Sequence, residues 1–327
     1  MENVHNESRE PNHELQAVAD GVQGTREPSK SDDRIWAALA HGSALLFAFG
    51  PIVAIVLWFT QRKKSAYITF HVLQAMAYQV LFFWIWLTVV PIVLTVVVLV
   101  LIFILAAAAP HSDNAFLAAV LPQILIWGVL LGTFAVYGML ALVGVVATLT
   151  GGDFKYPLIG KWLSHYVEYG ASVPGSVSED QEDRVVAAVC HSTCVVPFFG
   201  LLTPIVVWLT QHERSALLRF QAMQAAIYQA VGLIGYVVFM ALDILFVFAM
   251  VGAAVGSDFA GRSSAVPVWL SLIMLPFMCI LCVFALAVPL YHLFGFLASV
   301  RVLRGHDFRY PVLGRILASK MKPTEAK

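Results

Sequence analysis

Charge is what this sequence has least of. Asp, Glu, Lys and Arg make up only 12% of its 327 residues, against about 25% in a soluble domain. A globule of this size cannot be coated with so few polar side chains, which excludes a soluble enzyme of one or two domains. A basic surplus is missing too. Lys and Arg number 20 against 20 Asp and Glu, so no nucleic-acid partner is expected. The N-terminus has no basic stretch followed by an apolar one, hence no signal peptide. There is no phosphate-binding loop, nucleophile elbow or HExxH, and no nucleophile–base pair, so no enzyme is expected. Cysteine is scarce: Cys190, Cys194, Cys279 and Cys282. All four lie in apolar segments, and Ala40 and Ala44 replace the first two in the other repeat described below. They read as packing residues rather than metal ligands; no metal or cofactor is expected. What remains is an apolar chain, 60% hydrophobic with a mean hydropathy of +0.80. This is the composition of an integral membrane protein.

The apolar part is written twice. Residues 33–79 align with 183–229 at a constant offset of 150, without gaps, and 19 of 47 positions are identical. The identities include Asp33/Asp183, His41/His191, Trp58/Trp208, Phe70/Phe220, Gln74/Gln224, Tyr78/Tyr228 and Gln79/Gln229. A second block closes each half at an offset of 154: GGDFKYPLIGKWL from Gly151 and GHDFRYPVLGRIL from Gly305. Shared composition produces chance matches of Leu and Val, but not of Trp, His, Tyr and Gln in one register, so this is a tandem duplication. The expected organisation is a disordered acidic tail (1–32), membrane repeat 1 (33–163), a polar acidic linker (164–182), membrane repeat 2 (183–317) and a basic tail (318–327).

Each repeat offers three apolar stretches: 35–60, 67–109 and 115–149, then 185–210, 217–255 and 265–300. A helix crosses the hydrocarbon core in about 20 residues. The predicted fold is therefore an all-α tandem helical bundle with four to six spans. Six simple crossings would send the C-terminal basic cluster to the side opposite Arg62, Lys63 and Lys64, against the positive-inside rule. If the first stretch of each repeat instead dips in and returns, 19 of the 20 basic residues share one side and Arg262 is the exception. Gly50-Pro51, and Pro197, Gly200 and Pro204, place chain breakers where such a reversal needs them. The charge distribution favours this re-entrant arrangement. It puts both termini in the cytoplasm of a cell whose inner membrane holds the protein.

Several residues are candidates for more than packing. Phe70, Gln74 and Tyr78 recur at i, i+4 and i+8, as do Phe220, Gln224 and Tyr228, so each trio shares a helix face, with Gln79 and Gln229 beside it. Such faces join helices by hydrogen bonds or line a polar path. His41 and His191 are matched polar residues in apolar segments, suited to structural hydrogen bonding or to proton or ligand handling. Asp243 is an acidic residue inside an apolar span and therefore a functional candidate, with His292 as a conceivable partner. Phe154, Tyr156 and Pro157, with Phe308, Tyr310 and Pro311, sit beside Lys or Arg just after a span and read as interfacial anchors. Pro157 and Pro311 then open short amphipathic segments suited to the membrane surface.

The run AALAHGSALLFAFGPIVAIVLWFTQRKKSAYITFHVLQAMAYQ, closed by DFKYPLIGKWL, resembles a bacterial membrane domain of unknown function related to the channel subunit of the plastid inner-envelope translocon. His41, Trp58, Phe70, His71, Gln74 and Tyr156-Pro157 carry the resemblance. In the second repeat it rests on His191, Trp208, Phe220, Gln224 and Tyr310-Pro311, with Gln221 in place of the His and Glu213 in the basic loop. The resemblance implies a multi-pass helical bundle and, by its plastid relatives, which have four spans, an association with protein movement across a membrane. From the residues themselves, a non-enzymatic scaffold or accessory subunit is expected, packing with lipid, other membrane subunits or its own kind. A transporter or translocation channel with a polar path between the repeats is the alternative.

Overall fold

The structure, a computed structural model, describes residues 31–108, 115–170, 176–196, 198–259 and 268–321. Residues 1–30 of the expected N-terminal tail, Arg262 and the chain's last six residues lie outside the described residues, while Ser31 and Asp32, expected in that tail, open the first helix.

Helix α1 (Ser31–Gly42) is followed by a 3-10 turn (Ser43–Phe49) and α2 (Gly50–Gln61). Twelve residues at 1.5 Å each extend about 18 Å, well short of a hydrocarbon core of about 30 Å. The chain reverses at Phe47, whose φ of 52° and ψ of −117° break the helix, and Pro51 reopens it in the first turn of α2. Both ends of this stretch then meet: the Lys64 ammonium lies 5.5 Å from the Trp36 ring. Repeat 2 does the same. Helix α7 (Glu179–Ser192) turns at Thr193–Val195 and Phe198 (φ 61°) into α8 (Leu202–Gln211). There Arg214 reaches back to Asp183 at 2.9 Å. Both first stretches fold back as hairpins whose ends meet, the shape that a re-entrant segment requires.

Among the described residues, five segments are long and apolar enough to cross a membrane, Ser31–Gln61 among them. That one folds back on itself, and the other four are long candidates for crossing. The first runs through α3 (Ala66–Trp84), a π turn (Ile85–Val89) and α4 (Val90–Ala108). Ser65 starts it by accepting a hydrogen bond from the Ile68 amide at 3.2 Å, and Ser215 does so for Leu218 at 3.3 Å. Pro91 has no N–H to return to the carbonyl of Leu87, and the ladder slips into the wider π turn just before it. The others are α5 (Ala115–Leu149), α9 (Ala216–Phe259) and α10 (Val268–Leu303). Short helices α6 (Ile159–Tyr166) and α11 (Leu313–Lys320) follow the closing blocks.

The core sits at the basic end of the bundle and draws on both repeats, with Trp58, Phe70 and Leu73 packed into one cluster with Val185, Val189, Leu218 and Val302. Farther along, Val96, Phe103, Ile234, Phe248 and Leu286 face outward, as lipid-facing side chains do. Phe49 and its repeat mate Phe199 lie 4.3 Å apart, which marks a local two-fold relation. Other contacts between the repeats occur once. The Trp58 indole donates to Glu182 at 2.6 Å, and Arg62 reaches the same carboxylate oxygen at 3.2 Å. Trp84 donates to the Ser192 carbonyl at 3.1 Å, and Tyr166 to the Leu303 carbonyl at 2.6 Å. By contrast Asp32, the mate of Glu182, is exposed, and Ile234, the mate of Trp84, is 65% exposed.

Candidate functional site

Each repeat builds one buried polar network where the start of its long helix meets its closing block. In repeat 1, Gln74 clamps the backbone of that block. Its amide donates to the Phe154 carbonyl at 3.0 Å, and its carbonyl accepts from the Tyr156 amide at 3.0 Å. Gln224 repeats this with Phe308 (3.1 Å) and Tyr310 (2.9 Å). The clamp holds a tyrosine ring flat against the helix. Tyr156 stacks on Tyr78 with centroids 3.8 Å apart, and Tyr310 on Tyr228 at 4.0 Å. A third ring completes each stack, Tyr137 at 5.2 Å from Tyr78 and Tyr291 at 4.8 Å from Tyr228. The hydroxyls of Tyr78 and Tyr228 donate to the carbonyls of those residues. One turn over, Gln79 donates to the Ser43 hydroxyl and Gln229 to the Cys190 carbonyl, pinning the reversal of each hairpin.

The histidines join the same networks. Gln221 fixes the direction of the bonds in repeat 2. Its amide nitrogen faces the Asp307 carboxylate at 3.1 Å, so its oxygen accepts from His191 Nε2–H at 2.9 Å. His191 Nδ1 then accepts from the Tyr310 hydroxyl at 3.1 Å. Repeat 1 has the same chain with His71 in place of Gln221. Tyr156 lies 3.1 Å from His41 Nδ1, His41 Nε2 lies 3.1 Å from His71 Nδ1, and His71 Nε2 faces Asp153 at 3.6 Å. The same polarity requires His71 to carry its proton on Nε2, toward the carboxylate. One residue therefore substitutes for the other without rewiring. His71→Gln should leave the melting midpoint nearly unchanged. His71→Leu should cost about 1–3 kcal/mol, since it strands the buried His41 Nε2–H. Thermal melts of the purified variants check this, and equal losses for both would refute the equivalence.

Gln74, Tyr78, Gln79 and His41 are thus brought together, as are Gln224, Tyr228, Gln229 and His191. The two sets do not join. Each bonds within its own repeat, with no shared polar path between them among the described residues. Tyr156 and Tyr310, expected as interfacial anchors, are 1% and 3% exposed. Their hydroxyls meet histidine and their rings complete the stacks, so they sit inside. Phe154 and Phe308 are half-buried against them. The outward residues are the next ones along. Pro157 and Pro311 are exposed, and Leu158 and Val312 are 88% and 69% exposed. Both of the latter hold positive φ, 65° and 67°, at the centre of tight three-residue turns closed by the Ile159 and Leu313 amides on the carbonyls of Pro157 and Pro311 at 2.8 Å, a strained conformation for residues other than glycine that costs about 1–3 kcal/mol. Trp162 and Ile316 extend the same outward face.

Asp243 is half-exposed on α9 among outward Leu242, Ile244 and Leu245. His292 is not its partner; it meets the Tyr236 hydroxyl at 3.3 Å. Cys190 and Cys194 are buried, Cys279 and Cys282 exposed, and the described residues contain no group of three or more side chains suited to a metal. Sequence reasoning passed over Tyr137 and Tyr291, although they are matched at the offset of 154 that relates the closing blocks. It also passed over Asp153 and Asp307, and Glu182, which stands in an acidic run like any solvated carboxylate.

Fold and sites together define a class: a duplicated, multi-pass α-helical membrane protein with one buried polar network in each repeat. A family model for magnetosome magnetite crystal formation proteins matches residues 32–163 and again 182–317. The chain belongs to the magnetosome magnetite crystal formation protein family, with two tandem copies of its domain. The translocon relation suggested by the sequence finds no support in these comparisons. No curated protein and no solved structure matches the chain.

Proposed function

We propose that this chain is a non-enzymatic scaffold of the magnetosome membrane, holding lipid and partner membrane proteins in place during magnetite crystal formation. The observation that carries this reading is that the two networks turn inward: their Gln, Tyr and His side chains are buried or half-buried and form hydrogen bonds to one another, to the Ser43 hydroxyl and to backbone within their own repeat. What the protein offers outward is apolar, from the lipid-facing helices to Leu158, Trp162, Val312 and Ile316 beside the basic end. Burying those side chains at the lipid boundary offsets their backbone strain. Attraction of the basic end to the cytoplasmic side puts both termini there.

The test has two arms. In the native host, deleting the gene should change the size or number of magnetite crystals seen by electron microscopy, and tagged protein should co-purify with defined membrane subunits. Normal crystals and no partner would sink the scaffold reading. In liposomes, the purified protein should pass no ions or protons; a flux abolished by Asp243→Asn would favour the channel alternative instead. A membrane-impermeant label on cysteines placed near Gly24 and at Lys327 reads the orientation.

A further inference from the structure

At one place on their basic face the two repeats differ in what covers a matched phenylalanine. In repeat 1, Phe70 is fully buried because the ring of Tyr169, from the chain leaving α6, stacks on it. The centroids are 4.3 Å apart and the planes 7° from parallel. The Lys155 ammonium caps this pair, 5.7 Å from the Phe70 ring and 5.9 Å from the Tyr169 ring. Repeat 2 keeps the floor and the cation: Phe220 matches Phe70, and the Arg309 guanidinium lies 5.7 Å from its ring. No ring contact covers Phe220 among the described residues. Phe220 is half-exposed, and above it opens a cavity of about 430 Å³ lined by Leu217, Phe220, Gln221, Arg309, Ala318 and Met321, with Asp307 at its edge. At the offset of 154, the position of Tyr169 falls on Pro323.

We propose that this groove is a docking slot for an aromatic side chain carried by another protein. Repeat 1 shows what the slot is shaped to hold: a ring stacked on phenylalanine under a cation, an arrangement favoured by offset stacking and cation–π attraction. The chain's own end segments have no ring to supply. Residues 1–30 and 322–327 contain no Phe, Trp or Tyr. The partner is therefore a separate polypeptide presenting an exposed Tyr, Phe or Trp at the basic face of the membrane. The proposal rests on the reading of the chain as a packing subunit and names how one partner would be gripped.

A peptide taken from the protein itself is a suitable probe. Fluorescein-labelled VEYGASV, residues 167–173, should bind the full chain in lipid nanodiscs saturably by anisotropy. Replacing its tyrosine with alanine should weaken binding at least tenfold. So should Ala318→Trp in the protein, which fills the groove, while Ala318→Ser should bind as the native chain does. Matching elution profiles and melting midpoints verify that both variants are folded. No binding to the native chain, or binding indifferent to the tyrosine or to Ala318→Trp, overturns the proposal. So does binding that appears only after Lys322 and Pro323 are both changed to glycine, because the chain's own end would then be the occupant. Failure of co-purification in the host would remove the scaffold reading but leave this binding result standing.

Discussion

Replacing Glu182 with alanine should lower the stability of the protein by about 3–5 kcal/mol, because it leaves the Arg62 guanidinium buried without its counter-charge. Both side chains of the pair are only 7% exposed, and the Trp58 indole donates to the same oxygen. A loss of that size is a large share of the roughly 5–15 kcal/mol that holds a domain together. The pair does not itself supply that much stability. Burial raises the Glu182 carboxyl above its ordinary range despite the opposing pull of Arg62 and Trp58. Desolvation thus outweighs the attraction, and the double variant Arg62→Met/Glu182→Leu should regain most of what the single variant loses. The pH dependence follows in sign. A carboxyl with a raised folded pKa binds its proton more tightly in the folded state. Its contribution therefore improves as pH falls through the folded pKa and levels off below the unfolded one. Melting midpoints of the single and double variants check the argument, and a double variant no better than Glu182→Ala would refute it.

Gly160→Ala and Gly314→Ala should be comparably severe, and equal to each other. A methyl group on Gly160 would stand 2.3 Å from the Gln74 carbonyl oxygen and 2.8 Å from the Lys155 Cα. On Gly314 it would stand 2.5 Å from the Gln224 oxygen and 2.9 Å from the Arg309 Cα. A backbone atom cannot step aside as a side-chain end can, so the clamp must open. Overpacking of this kind costs about 1–3 kcal/mol, and stranding the buried amides of the closing block adds a similar amount. The control is Gly128→Ala. Nothing lies within 4 Å of a Cβ there, and alanine is the better helix former by about 0.5–1 kcal/mol. Melts showing all three variants alike would refute the clamp.

The class, the duplication and the hairpins were legible because each leaves a mark on the chain: apolar runs, a constant offset, and Lys and Arg gathered beside particular stretches. The networks were half legible. Gln74 and Tyr78 stood out by helical spacing and repetition, but the group that Gln74 clamps lies 82 residues away, and spacing says nothing of that partner. Tyr156 and Tyr310 misled because a tyrosine beside a cation at the end of a span has the same sequence context whether it faces headgroups or helices. Tyr137 was hidden among apolar neighbours. Glu182 was hidden by Glu179, Asp180 and Asp183, and only the arrival of Trp58 and Arg62 from 120 residues or more earlier in the chain sets it apart.

The contacts made once between the repeats have a consequence for the evolution of the chain. In a dimer of identical subunits about a two-fold axis, every contact away from the axis occurs twice, so any substitution is felt at two places. Fusion into one polypeptide removes that constraint. Glu182 could become a partner for Trp58 and Arg62 while Asp32 stayed in solvent, and Trp84 could find Ser192 while Ile234 faced lipid. The chain is in effect a heterodimer with a covalent tether. Its halves are free to specialise, one side of the seam changing without the other.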